Sequence, residues 1–245
     1  MRVFTEKLTD DGVTLTAYLP DYSPEMKHLA KRPTMLVLPG GAYMFCSDRE
    51  AEPIAFAYNA QGYNAFVLRY TVGKEKAAFP RPLEDADLAM QKIVENAEEW
   101  NVDTDKIAAI GFSAGGHLCA ALATMGKIRP AAVILGYPCI LESISHILAE
   151  PVPSLDEKVD ANTSPAFIFH AAEDGCVPVE HSLAFGTALA KAGVPFEMHI
   201  FEKGYHGFSI ANNYVYESQE HVDYLAHVKC WVEMSVRWLD KRFNG

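Results

Sequence analysis

The sequence predicts an α/β fold, one sheet covered on both faces by helices. Three observations carry this. Apolar runs of strand length alternate with stretches of helical periodicity along most of the chain. A G-x-S-x-G pentapeptide, Gly111-Phe112-Ser113-Ala114-Gly115, joins the apolar run 107–110 to the small-residue helical run 117–124, which reads as strand, sharp turn and helix. A chain of 245 residues with 49% hydrophobic content suffices for one such sheet and would be cramped as two domains, so residues 1–245 are read as a single domain.

Taken in order, Val13 to Leu19 alternates apolar and polar residues and predicts a strand with one covered face, the second arm of a hairpin over about residues 2–19. Residues 21–31 are charged and aperiodic, a surface connection. Met35 to Leu38 is an unbroken apolar run, as in a strand buried on both faces. Residues 50–60 read as a helix capped at Gly62, and Tyr63 to Leu68 as the next strand. A Lys- and Gly-rich loop follows from Arg69 to Arg81. Apolar residues at 86, 89, 90, 93, 97 and 100 then predict a helix from Leu83 to Trp100, and Asp103-Thr104-Asp105 breaks the pattern ahead of the strand at 107–110. Beyond the pentapeptide come a strand at 131–135, an aperiodic segment at 140–164 that reads as a small lid or insertion, and a strand at 166–170. A helix at 179–191 stops at Gly193, a strand spans 194–201, and one long helix over 219–243 closes the flank.

The candidate chemistry gathers at the predicted strand ends. A serine in the G-x-S-x-G turn projects its hydroxyl from the top of a sheet, which makes Ser113 the candidate nucleophile. The helix it opens leaves the Ala114 N–H free for an oxygen anion. Pro39-Gly40-Gly41-Ala42-Tyr43 follows a strand and offers further N–H donors at Gly41 and Ala42. Glu173 and Asp174 lie just past a later strand, and Asp174 is the preferred acid because the order serine, acid, histidine fits. His206 sits between Tyr205 and Gly207 in the loop after the last strand, and imidazoles titrate near neutrality, so it is the candidate general base. His117, one helical turn past Ser113, reads as a packing or helix-fixing residue. Tyr43, Phe45, Tyr70, Tyr205 and Phe208 surround the site in sequence, and aromatic faces suit sugar rings, with Tyr43 and Tyr205 the candidate substrate contacts.

Composition excludes other classes. A net charge of −11 disfavours nucleic acid and anionic membrane surfaces and points to neutral or cationic substrates. No stretch has the uninterrupted apolar length of a membrane span and the N-terminus lacks a signal-like core, so a soluble cytoplasmic protein is expected. The odd set Cys46, Cys119, Cys139, Cys176 and Cys230 has no C-x-x-C spacing and reads as buried reduced thiols. No histidine pair has metal-ligand spacing with a third ligand, so neither metal nor cofactor is expected.

The blocks Pro39 to Tyr43, Gly111 to His117, Ala172-Glu173-Asp174 and Tyr205-His206-Gly207 resemble the α/β-hydrolases of the small esterase group that includes bacterial acetyl esterases and acetylxylan esterases. The resemblance covers nearly the whole chain. It implies a mostly parallel eight-stranded sheet with an antiparallel second strand, a Ser113-His206-Asp174 triad, an oxyanion hole from Ala114 with Gly41 or Ala42, and a small-molecule ester substrate, with oligomeric state left open. Acetylated sugars or xylo-oligosaccharides are the expected substrates. A general short-chain esterase, thioesterase or formamidase shares the same constellation, and an inactive hydrolase-fold binding protein is the reading from another class. Related esterases often carry His-Gly-Gly where this chain has Pro39-Gly40-Gly41, so their loop-fixing histidine contact is not expected here.

Overall fold

The computed structural model describes residues 1–244. Eight strands form one sheet: β1 (Arg2–Lys7), β2 (Thr14–Leu19), β3 (Arg32–Leu38), β4 (Asn64–Arg69), β5 (Val102–Phe112), β6 (Ala132–Gly136), β7 (Ala166–Ala171) and β8 (Phe196–Phe201). Their spatial order is β1-β2-β4-β3-β5-β6-β7-β8. The hairpin pairs antiparallel, β2 also pairs antiparallel with β4, and every later pairing is parallel. The mostly parallel sheet with an antiparallel second strand is therefore observed.

Successive strand residues face opposite sides, so each central strand fills two cores. Leu36 and Leu38 belong to the core that residues of α2 (Arg81–Glu95), α3 (Ser113–Met125) and α4 (Glu180–Ala192) also fill, on one face. Met35 and Val37 belong to the core that residues of α1 (Glu52–Asn59) and α6 (Trp231–Asn244) fill on the other. Burial on both faces is why β3 and β6 read as unbroken apolar runs rather than alternating ones.

Three expectations need correction. The helix expected to reach Trp100 stops at Glu95, because the Asn96 side chain donates to the Lys92 carbonyl at 2.8 Å and the chain turns so that Trp100 packs on Phe4 and Phe66. Asp103-Thr104-Asp105 does not lie ahead of the strand but within it. Val102 already pairs with Arg32 and Ile107 with Thr34, so the acidic residues form an irregularity inside β5. The single terminal helix is broken into α5 (Gln219–Tyr224), a short turn over Val228–Cys230, and α6. The break lets Trp231 stack on Phe169 at 4.3 Å and donate its indole N–H to the Ser209 carbonyl at 2.9 Å. Segment 140–164 holds two short turns, Glu142–Ile147 and Asp156–Lys158, and the Leu155 N–H donates to the Ile140 carbonyl. Cys119 and Cys139 are buried, but Cys176 and Cys230 are exposed, against the expectation of buried thiols throughout.

Candidate active site

The C-terminal ends of five neighbouring strands converge: β3 delivers the Gly40-Gly41 loop, β5 Ser113, β6 Tyr137, β7 Asp174 and β8 the His206 loop. Parallel strands bring their ends, and so these loops, to one edge of the sheet.

Ser113 stands between β5 and α3 with φ +53°, a left-handed conformation that β-carbon crowding disfavours and the surrounding turn enforces. Close packing explains Gly115. A Cβ there would collide with the carbonyl oxygens of Leu38 and Pro39, so only glycine lets the first turn of α3 lie against the end of β3. The Ser113 hydroxyl is 2.9 Å from His206 Nε2, and His206 Nδ1 is 2.8 Å from Asp174 Oδ2. Asp174 Oδ1 accepts the N–H groups of Cys176 and Val177, both at 2.9 Å. Burial alone would raise the Asp174 carboxyl, but hydrogen bonds from His170 and His206 outweigh it and hold it well below the usual carboxylate range. An ionised Asp174 accepts from Nδ1–H, which leaves the Nε2 lone pair facing the serine proton. The arrangement can therefore take a proton from Ser113 as its oxygen attacks a carbonyl.

Opposite the serine, Gly41, Ala42 and Tyr43 have φ values of +125°, +56° and +58°. Three consecutive left-handed residues turn the peptide N–H groups of Gly41 and Ala42 out of any local ladder, and neither has an acceptor among the described residues. The Ala42 carbonyl instead takes the Ala149 N–H of the insertion at 2.9 Å. Ala114 contributes the N–H of the first turn of α3, which no intrahelical carbonyl can reach. A cavity of about 190 Å³ runs between Gly41, Ala42 and Phe45 on one side and Ser113, His206 and Gly207 on the other, with Ile147 and Leu148 of the insertion over it. A larger depression of about 430 Å³ beside Thr71 lies elsewhere, and in its lining Arg81 pairs with Asp11.

Comparison with known proteins agrees with this fold. A chain crystallised as MGS-M1, an α/β hydrolase from a Medee basin deep-sea metagenome library, is 48% identical over 99% of this chain and 98% of its own, with a TM-score of 0.92. The chain belongs to the α/β-hydrolase family. The acetyl ester-xyloside bifunctional hydrolase of Caldicellulosiruptor lactoaceticus is 32% identical over 95% of this hydrolase and 89% of its own chain, with a TM-score of 0.79. Residues 19–132 match the family BD-FAE, and residues 146–229 the prolyl oligopeptidase family. Among curated proteins, endo-1,4-beta-xylanase B of Butyrivibrio fibrisolvens is 38% identical over 75% of the hydrolase and 33% of its own length. The acetylxylan esterase of Xylanibacter ruminicola is 28% identical over 88% of the hydrolase and 48% of its own length. The hydrolase thus spans between a third and a half of these two relatives. An acetylxylan esterase and an acetyl ester-xyloside hydrolase are thus among the proteins this chain is similar to. Among the described residues, no helix of the hydrolase is long and apolar enough to cross a membrane.

The aromatic expectation fails for four rings of five. Tyr43 is 1% exposed and donates its hydroxyl to His117, so it contacts no substrate. Tyr70 and Phe208 are core residues, Tyr70 donating to the Pro39 carbonyl and Phe208 packing on Tyr137. Tyr205, the other candidate substrate contact, stacks on Tyr224 outside the cavity lining. Only Phe45 borders the cavity. A ring next to a catalytic motif in sequence is as readily turned inward, where burial of its apolar area stabilises the fold.

Glu50 was invisible to sequence reasoning because it looks like one more charged residue at a helix start. It is 3% exposed, accepts the Gly40 N–H at 2.9 Å through Oε2 and the Tyr137 hydroxyl at 2.6 Å through Oε1, and Tyr137 in turn accepts the Ser209 N–H at 3.1 Å. Burial raises the Glu50 carboxyl above its ordinary range, against those bonds. One side chain thus ties the Gly40-Gly41 loop to the loop three residues past His206. Glu50→Gln is expected to lower kcat about tenfold or more with a much smaller change in KM, since a displaced donor weakens the transition state more than the ground state. Steady-state kinetics on a small acetyl ester check this, and a change confined to KM would show that Glu50 does not set the loop.

His117 and His181 hold the insertion. Pro153 has only a carbonyl to offer, so His117 Nε2 donates to it at 3.1 Å and His117 Nδ1 accepts from Tyr43 at 2.9 Å. His117 is therefore the loop-fixing residue that the absent His-Gly-Gly histidine left unassigned. His181 Nδ1 accepts the N–H groups of Ile140 and Leu141 at 2.9 and 3.1 Å. Burial pushes both imidazoles down to about 4. The unfolded chain takes up these protons first, so the stability held by the neutral rings is complete above about pH 6.5 and declines as pH falls toward 4. Thermal unfolding should show a Tm that drops across this window, with a shallower drop in His181→Asn; equal slopes for the two proteins would count against the assignment.

Proposed function

We propose that Ser113, His206 and Asp174 act as a catalytic triad that removes acetyl groups from O-acetylated sugars or xylo-oligosaccharides. His206 takes the Ser113 proton while the serine oxygen attacks the ester carbonyl, and the N–H groups of Ala114 and of Gly41 or Ala42 receive the developing negative charge. His206 returns its proton to the departing alcohol. Water then enters, loses its proton to His206 and attacks the acyl-serine, releasing acetate and restoring the hydroxyl.

The observation that carries the short acyl group is the cavity. About 190 Å³ roofed by Ile147 and Leu148 lies below the range usual for drug-sized ligands. The sugar alcohol is supported by the acetylxylan esterase and the acetyl ester-xyloside hydrolase among the relatives. The test is acetate release from acetylated xylo-oligosaccharides, alongside rates on acetyl, butyryl and octanoyl esters of one alcohol. The acetyl ester is expected to be preferred to the octanoyl ester by about tenfold or more in kcat/KM, since a misfitting chain of several methylenes costs more than 1–3 kcal/mol. A preference for the octanoyl ester defeats the reading, and acetate from simple esters but from no acetylated sugar leaves a general short-chain esterase.

A further inference from the structure

Arg49 lines the cavity beside Ser113, His206 and Gly207. Of the eight arginines, Arg2, Arg69, Arg81, Arg129 and Arg237 pair with carboxylates, and Arg32 donates to the carbonyls of Asp21 and Gly62. Arg49 and Arg242 have no such partner among the described residues, and each lies over an aromatic ring. Of these two, Arg49 borders the cavity at Ser113. Its neighbours in sequence are committed elsewhere, Asp48 to Arg69 at 2.8 Å, and Glu50 to Gly40 and Tyr137.

The cation is held in place by the His206 loop. Its guanidinium carbon sits 5.7 Å from the centre of the Tyr216 ring, the Tyr216 hydroxyl donates to the Gly207 carbonyl at 3.0 Å, and the Ser209 hydroxyl donates to the carbonyl of Arg49 itself. Stacking on an aromatic face fixes a guanidinium without consuming its N–H donors. A Cβ on Gly207 would lie 3.4 Å from Arg49 Nη2, so the guanidinium stands next to the residue following His206. His206 protonates the departing alcohol, which places that alcohol, rather than the acyl group, on the Arg49 side. Ile147 and Leu148, which also line the cavity, are apolar.

We propose that Arg49 forms an anion subsite for the leaving alcohol, and that the hydrolase prefers acetyl esters whose alcohol carries a carboxylate. Under the function proposed above, on which this naming of the substrate rests, that alcohol is an acidic saccharide. A planar guanidinium can meet a carboxylate through two parallel N–H···O bonds, a match that a neutral sugar hydroxyl cannot make. The net charge of −11 opposes anions at long range, so the preference arises locally and should weaken with added salt.

The test compares a mono-O-acetylated uronic acid with the same acetylated sugar bearing a primary carboxamide, by acetate release at low and high ionic strength. The acid is expected to have a kcat/KM at least about tenfold higher, mostly through KM, as expected for a charge-assisted pair. In Arg49→Gln the acid-to-amide ratio should fall to about one, and Arg49→Lys should retain an intermediate ratio because the charge survives without the fork. An acid-to-amide ratio near one in the wild-type protein, or a ratio unchanged in Arg49→Gln, overturns the proposal. If no acetylated sugar is cleaved, the same ratio is read on the acetyl esters of 4-hydroxybenzoate and 4-hydroxybenzamide. A preference for the benzoate that Arg49→Gln abolishes sustains the anion subsite while the saccharide reading falls, and no preference there overturns both.

Discussion

Replacing Ser113 with alanine is expected to lower turnover of small activated esters about 10³-fold or more while leaving the fold intact. The serine side chain is 8% exposed and its one hydroxyl contact in the triad is His206 Nε2, so the loss removes the attacking atom without opening the core. His206→Ala should cost nearly as much, and the double variant little more, because a nucleophile and its base fail together. Circular dichroism checks the fold and steady-state rates the chemistry. Additive losses in the double variant would mean that the two residues serve different steps, and unchanged turnover in Ser113→Ala would remove the serine from the mechanism.

Asp174→Asn is expected to cost about 10³- to 10⁴-fold, through the imidazole rather than through packing. An asparagine amide can donate to Nδ1 and so favours the tautomer with its proton on Nε2, where it can no longer accept from Ser113. The adjacent carboxylate supplies the control. Glu173 is exposed and bonds Lys203 Nζ at 2.7 Å and the Tyr224 hydroxyl at 2.6 Å, facing away from His206. Glu173→Gln should therefore change the rate little, since it removes only exposed, solvent-screened contacts. If Glu173→Gln proves the more damaging of the two, the acid has been assigned to the wrong carboxylate.

The residues brought together at Ser113 were legible because each chemical requirement constrains a short local pattern. A nucleophile on a strained turn needs small neighbours, and an acid and a histidine must each follow a strand. Chain order then narrowed the histidines, while it left both adjacent carboxylates, Glu173 and Asp174, in a fitting place. Strands buried on both faces announced themselves as apolar runs, which is why β3, β6 and β7 were found close to their observed bounds. The breaks in regular structure were less legible. The apolar spacing of Ala97 and Trp100 continues the period of α2, yet a turn can satisfy the same burial, and only the pairing of Val102 with Arg32 shows where the chain reverses.

Sequence by itself determined the α/β class, the succession of strands and helices along the chain, and which serine, carboxylates and histidine stand at strand ends, because these follow from periodicity and from contacts within a few residues. Tertiary structure decided what depends on contacts between distant segments. It turned Tyr43 inward onto His117, 74 positions away, and buried Glu50 between Gly40 and Tyr137, 87 positions on. It also left Arg49 at the cavity edge with its charge unpaired. Nothing in the local sequence distinguishes these three residues from ordinary core aromatics and surface charges, since burial and pairing are set by what the rest of the chain brings against them.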